Sequence, residues 1–222
     1  MSAIVAIPAR LDSTRFPRKV LANILGKPML WHVYQQSLTS TLVDEAWILT
    51  DSEEIFTVAQ GWGANVKMTS KECVSGTDRI ASVADQFTAD IIVNVQGDEP
   101  LINGGLIDSV ISVLEDGDWD VSTPIFRLET IDQVLDPNLV KVVRASDGTG
   151  IYFSRSPVPY VRDFGKEQWI DRCEFWGHIG VYAYRKRVLI QYPELDKGVL
   201  ESAEQLEQLR LLESGIRIIT TE

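Results

Sequence analysis

A short apolar run that passes straight into a cationic loop and then a helix narrows most sharply what this chain can fold into. Ala3, Ile4, Val5, Ala6 and Ile7 are apolar without a break. That is the pattern of a strand covered on both faces in a parallel sheet, and Pro8 is expected to stop it. The loop beyond carries Arg10, Ser13, Thr14, Arg15, Arg18, Lys19 and Lys27, with Asp12 as its only acid, although the 222-residue chain has a formal net charge of −11. Solvated charges are the usual explanation of a basic loop, but this one leaves the carboxyl end of the first strand, where open α/β sheets collect ligands. An anionic partner is expected. A polyphosphate suits these groups, because guanidinium forks grip phosphate oxygens in pairs and an ammonium brings a compact charge to a leaving pyrophosphate. Neither a G-x-G-x-x-G fingerprint nor a Walker lysine box occurs, so side chains are expected to hold the phosphates.

The alternation of strand and helix continues along the chain. Pro28 suits a helix start, with Met29, Leu30, Val33 and Tyr34 at helical spacing. A second strand over residues 46–49 ends at Thr50 and Asp51; Ser52 then reads as an N-cap before the first-turn acids Glu53 and Glu54, and Gly61 and Gly63 punctuate that helix's end. Residues 66–68 suggest a third strand, the run after Ser75 and Gly76 another helix, and residues 91–95 a fourth strand. This predicts a Rossmann-like α/β fold, a doubly wound and mostly parallel sheet. From about Val121 the pattern becomes a smaller mixed extension. It contains a hairpin of residues 140–143 and 151–153 around Asp147-Gly148, a loop through Pro157 and Pro159, and a strand over residues 177–184. On that strand His178, Gly180, Tyr182 and Tyr184 share one face. A helix over residues 200–213 is expected to bury Leu200, Ala203, Leu206, Leu209 and Leu212 and to leave Glu201, Glu204, Gln208 and Glu213 outside. Gly215 closes it before a last strand over residues 216–219. One domain spanning residues 1–222 is expected, with a nucleotide-binding half over 1–120 and a second half over 121–222.

Composition bounds the function. With 45% hydrophobic and 24% charged residues, the chain reads as an ordinary soluble globular protein with a substantial core. Its acidity argues against nucleic acid and anionic membranes as partners. No apolar run approaches the ~20 residues of a membrane span, and the immediate first strand leaves no room for a leader, so a cytoplasmic location is expected. Cys73 and Cys173 lie outside any metal or redox spacing and read as buried thiols.

Gln96, Gly97, Asp98, Glu99 and Pro100 follow the fourth strand. If the sheet order reverses between the first and fourth strands, this acidic loop faces the basic one across the switch-point crevice. Mg²⁺ is usually held by one or two carboxylates with substrate phosphates and water, which makes Asp98 the expected metal ligand and Arg10, Arg15 and Lys19 the phosphate clamps.

Five segments together resemble the 3-deoxy-manno-octulosonate (Kdo) cytidylyltransferase, or CMP-Kdo synthetase, family. They are residues 7–19, Gly26-Lys27-Pro28-Met29, Ser75-Gly76-Thr77-Asp78-Arg79, residues 96–100 and His178-Ile179-Gly180-Val181-Tyr182, in family order over nearly the whole chain. The resemblance implies a nucleotide-diphospho-sugar transferase type of fold and a Mg²⁺-assisted reaction. In it the anomeric hydroxyl of a 2-keto sugar acid attacks the α-phosphorus of CTP, giving CMP-Kdo and pyrophosphate for lipopolysaccharide biosynthesis. It implies catalytic roles for Arg10, Lys19 and Asp98, with Arg10, Arg15 and Lys19 on the phosphates and Ser75, Gly76 and Thr77 near the cytidine and ribose. The sugar side falls on Arg79, Gln96, His178, Tyr182, Glu207 and Gln208, with Arg79 pairing the sugar's carboxylate, and the second half is expected to form a homodimer interface. Alternatives are an amino-substituted Kdo or another 2-keto sugar acid, or a CTP-binding protein without turnover. Two departures stand out. Arg18, Lys19 and Val20 replace the family's usual Gly, Lys and Pro, and the closing Val-Asp-Thr-Pro box, with its second metal aspartate, is not reached before Glu222. Either the polypeptide is cut or a depleted metal site is expected.

Overall fold

The computed structural model describes residues 1–11 and 16–222. Ser13, Thr14, Arg15 and the acid Asp12 lie outside the described residues. Residues 1–118 form β1 (Ala3–Ala9), β2 (Asn23–Ile24), β3 (Lys27–Pro28), α1 (Met29–Ser37), β4 (Glu45–Thr50), α2 (Glu53–Gln60), β5 (Asn65–Met68), α3 (Gly76–Ala81), β6 (Ile91–Asn94) and α4 (Gly104–Asp116). Next come β7 (Val121–Leu128), α5 (Ile131–Leu135), β8 (Lys141–Arg144), β9 (Gly150–Ser154), α6 (Trp169–Arg172) and β10 (Phe175–His178). The chain closes with β11 (Tyr182–Arg185), α7 (Lys186–Gln191), α8 (Val199–Glu204), α9 (Gln208–Glu213) and β12 (Ile218–Thr221). Two compact units result. The first comprises residues 1–118 and 181–194, the second residues 119–180 and 195–222. They are interleaved in sequence, whereas the expected halves were contiguous.

In the first unit β1 lies between β4 and β6, parallel to both, and β5 extends the sheet beyond β4. Strand order therefore reverses between β1 and β6, as the alternation required. All seven residues of β1 are buried, which explains its unbroken apolar run. Pro8 does not stop the strand: β1 continues to Ala9, with Pro8 opposite Leu49. Near a strand's end a proline forfeits one ladder donor, and its fixed φ still suits extended chain. The helix starts form as their capping residues demand. The Ser52 side chain accepts the Ile55 amide, and the Ser75 side chain accepts that of Asp78. β11 completes the sheet, antiparallel to β6.

The second unit is a mixed sheet in which β10 pairs with β7 and β8, β8 pairs with β9, and β12 runs parallel to β7. Leu128, Val134, Trp169 and Phe175 pack into one core cluster. The β8–β9 hairpin turns where Asp147-Gly148 predicted, with Gly148 at φ +86°.

Three expectations are corrected here. The strand expected over 177–184 is two strands, because the Ile179 amide turns to the Pro124 carbonyl at 3.1 Å and the chain passes between units at Gly180 and Val181. The helix expected over 200–213 breaks at Gln205, whose φ of +54° is left-handed. The break resets the helical phase, so Glu201 and Gln208 are buried while Ala203 is exposed. The final strand also starts two residues later than expected, at Ile218.

Candidate active site

The site begins where β1 and β6 end side by side. Their register places Ala6 opposite Asn94, and the next residue, Val95, donates its amide to the Ala6 carbonyl at 3.1 Å. The acidic loop then presses against the end of β1. A Cβ on Gly97 would lie 3.0 Å from the Pro8 carbonyl oxygen and 3.4 Å from Leu30 Cδ1, so only glycine permits this approach without a shift. The next residue, Asp98, meets the basic loop. Lys19 Nζ donates to Asp98 Oδ2 at 2.6 Å, and each side chain is 40% exposed. Acid and base face each other across the switch point as the sequence implied. Glu99 beside them holds its proton more tightly than an ordinary glutamate, because it loses water and lies near the Asp98 charge, with Lys19 opposing the shift.

Other cations surround this pair. Arg10, at the end of β1, is exposed and has no hydrogen-bond or ion-pair partner among the described residues. The Arg18 amide donates to the Leu11 carbonyl at 3.0 Å, and its guanidinium pairs with Glu54 of α2. Lys27 instead lies over the Trp31 ring, 5.5 Å from its centroid.

The 75–77 turn packs against the same edge. A Cβ on Gly76 would lie 3.1 Å from Pro8 Cγ and 3.2 Å from the Gln96 amide group. Ser75 donates to Asp78 Oδ2 at 2.8 Å, and buried Thr77 accepts from Asn94 Nδ2 at 3.4 Å. Gln96 Nε2 in turn donates to Asn94 Oδ1 at 3.1 Å. Tyr182, the first residue of β11, is opposite Asn94, with its ring 5.8 Å from that of Tyr184. Arg79 is different. Its buried guanidinium donates to Asp51 Oδ2 at 2.8 Å, to the Thr69 hydroxyl and to the Ser70 carbonyl. It braces the ends of β4 and β5 against α3 and does not present a free fork to a sugar carboxylate.

The remaining expected residues belong to the second unit. His178 Nε2 lies 2.9 Å from Thr123 Oγ1, and its ring meets Phe153 edge-on at 5.2 Å. Desolvation lowers its pKa from 6.5 to about 3, so the imidazole is neutral at physiological pH. In the unfolded chain it takes up its proton first, and its contribution to stability is therefore lost as pH falls from 6.5 toward 3. The chain has two histidines. The His178 imidazole NMR signals, assigned with a His178→Gln variant, are expected not to move between pH 8 and 5; a His178 signal that titrates in that window would contradict the desolvated setting.

Glu207 stands at the N-cap of α9 and Gln208 begins it. Gln208 Nε2 is buried and has no hydrogen-bond partner among the described residues. The helix break is stapled by a bidentate ion pair, with Arg210 Nε and Nη2 donating to Glu201 at 2.7 and 2.8 Å. Glu204 accepts from the Ser154 hydroxyl at 2.6 Å and the Arg155 amide at 2.9 Å.

Sequence reasoning missed Asn94, Gly97, Asp51 and Glu54, all of which arrange the first unit's site. Asn94 had a visible signal, a lone amide closing an apolar strand at the sheet's carboxyl edge. Asp51 and Glu54 had none, since their partners are distant in sequence.

A doubly wound sheet whose switch point sets lysine against aspartate can receive a phosphate-bearing ligand at that edge. The chain belongs to the cytidylyltransferase family, whose pattern matches residues 4–218. It is 44% identical to the 3-deoxy-manno-octulosonate cytidylyltransferase of Geobacter sulfurreducens, over 100% of this chain and 91% of that protein. It is 45% identical to the protein of the same name from Solibacter usitatus, over 97% of this chain and 85% of the relative. The solved structure of CMP:2-keto-3-deoxy-manno-octonic acid synthetase complexed with CTP matches with a TM-score of 0.94 at 38% identity, covering 100% of this chain and 90% of that one. A cytidylyltransferase from Leptospira borgpetersenii shares the fold, with a TM-score of 0.63 at 16% identity over 100% of this chain and 76% of its own.

Proposed function

We propose that this protein activates Kdo with CTP. The anomeric hydroxyl forms a bond to the α-phosphorus as the bond to the bridging oxygen of pyrophosphate breaks, giving CMP-Kdo for lipopolysaccharide assembly. The observation that carries this reading is the Lys19–Asp98 pair at the switch point. Phosphoryl-type transfer leaves the protein mainly to position the groups and stabilise charge, which a cation and a carboxylate across a crevice can do.

In this reading Arg10, Arg15 and Lys19 hold the triphosphate, and Lys19 exchanges Asp98 for phosphate oxygens that gain charge as pyrophosphate leaves. The Ser75-Gly76-Thr77 turn receives the cytidine and ribose, held by Asn94 and Gln96. Arg79 fixes this turn from beneath. Gln96 and Tyr182, both in the first unit, serve the sugar acid.

Asp98 suits a Mg²⁺ ion, since it is half exposed and its present partner is itself a cation. Mg²⁺ is usually held by one or two carboxylates together with substrate phosphates and water. When bound, Mg²⁺ would neutralise phosphate charge there. The reading also takes the protein to work in the cytoplasm, where CTP is made, and as a homodimer whose mass light scattering would report.

The test is to incubate the protein with CTP, Mg²⁺ and a panel of 2-keto sugar acids including Kdo and its amino-substituted form, and to measure pyrophosphate. Fastest release with Kdo is expected. CTP binding without release from any acid would overturn the reading in favour of a binding protein.

A further inference from the structure

We propose that Arg18 is a further triphosphate-binding side chain, held on Glu54 until the nucleotide arrives. The inference rests on the reading of the Lys19–Asp98 crevice as a CTP site. Arg18 has φ +60° and ψ +26°, a left-handed conformation that glycine adopts freely and a long L side chain does not. Such strain persists where the side chain has a use.

Its present partner does not account for it. The Arg18 and Glu54 side chains are 60% and 41% exposed, and ion pairs in that setting contribute little because water and salt screen them. Position offers a better account. Arg18 immediately precedes Lys19, and Glu54 lies in the first turn of α2, just after the carboxyl end of β4. β4 is parallel to β1, so both carboxylates that quench these adjacent cations, Glu54 and Asp98, stand at the sheet edge where the crevice opens. A triphosphate outbids an exposed carboxylate for a guanidinium, since it presents several charged oxygens to a planar fork. Glu54 then acts as a competitor for Arg18. It holds the side chain close to the site at a cost to CTP affinity.

The experiment is calorimetric binding of CTP, inorganic tripolyphosphate and cytidine to the wild type, Arg18→Gly and Glu54→Gln, without sugar acid. Glycine suits the left-handed backbone and Glu54 is on the surface, so both variants are expected to fold. Arg18→Gly is expected to raise Kd for CTP and tripolyphosphate by roughly tenfold, the worth of one charge-assisted contact. Glu54→Gln is expected to lower both severalfold, and cytidine affinity is expected to stay unchanged. A clasp that merely shapes the loop would shift both variants in the same direction, or move cytidine as much as tripolyphosphate. Either result, or no change at all, overturns the proposal. Because the readout is binding, failure of the wild type to turn over any sugar acid would refute the proposed reaction while leaving this comparison readable.

Discussion

Asp98→Asn is expected to lower turnover by about a hundredfold or more with Mg²⁺ present, while CTP still binds. The substitution keeps the side chain's shape but removes the charge that orients the phosphates, and a displacement of ~1 Å at the reacting centre costs that order in rate. It also frees Lys19. In metal-free buffer CTP is therefore expected to bind the variant more tightly than the wild type, because the nucleotide no longer displaces a carboxylate. With Mg²⁺ the order is expected to reverse. Lys19→Met is expected to weaken CTP in both conditions. Neither change should cost more than about 1 kcal/mol of stability, since both side chains are 40% exposed and a pair so exposed contributes little. Steady-state kinetics beside calorimetry with and without Mg²⁺ separates these effects. Wild-type turnover by Asp98→Asn would remove the metal assignment.

The largest stability effect is expected at the helix break. Glu201 and Arg210 side chains are 5% and 10% exposed, so the bidentate pair compensates charge where water cannot. Arg210→Met leaves the buried Glu201 carboxylate without its bidentate guanidinium, and Glu201→Met takes from Arg210 the carboxylate that grips it. Each single change is expected to cost about 3–5 kcal/mol, while the double replacement by methionine is expected to recover most of it, because two apolar side chains need no compensation. Urea unfolding followed by tryptophan fluorescence tests this, since Trp169 lies in the core of the same unit. Single variants within about 1 kcal/mol of wild type would mean that the pair is solvated.

These residues also mark where sequence reading reached its limit. The parallel sheet, the switch point and the capped helices were legible because apolar runs and Ser52- or Ser75-type caps act over a few residues. The acidic and basic loops were legible as partners because strand order alone brings them together. The breaks at Gln205 and Gly180 were not. A leucine repeat over residues 200–213 continues through Gln205 in sequence, and only the Glu201–Arg210 pair and the hold on Glu204 show why the helix turns there. Arg79 shows a similar limit. A cation in a motif looks available until Asp51, distant in the chain, proves to hold it.

The threading of the chain through its two units has a consequence for synthesis on the ribosome. β6 emerges early, pairs on one side with β1, and waits on the other for β11, which is made only after most of the second unit has been translated. Until then Ile91, Ile92 and Val93, fully buried in the finished protein, line an unpaired strand edge of the kind that recruits stray chains. A nascent chain stopped before Tyr182 is therefore expected to aggregate rather than settle as a smaller folded domain, and slow translation across the second unit is expected to lengthen that exposure.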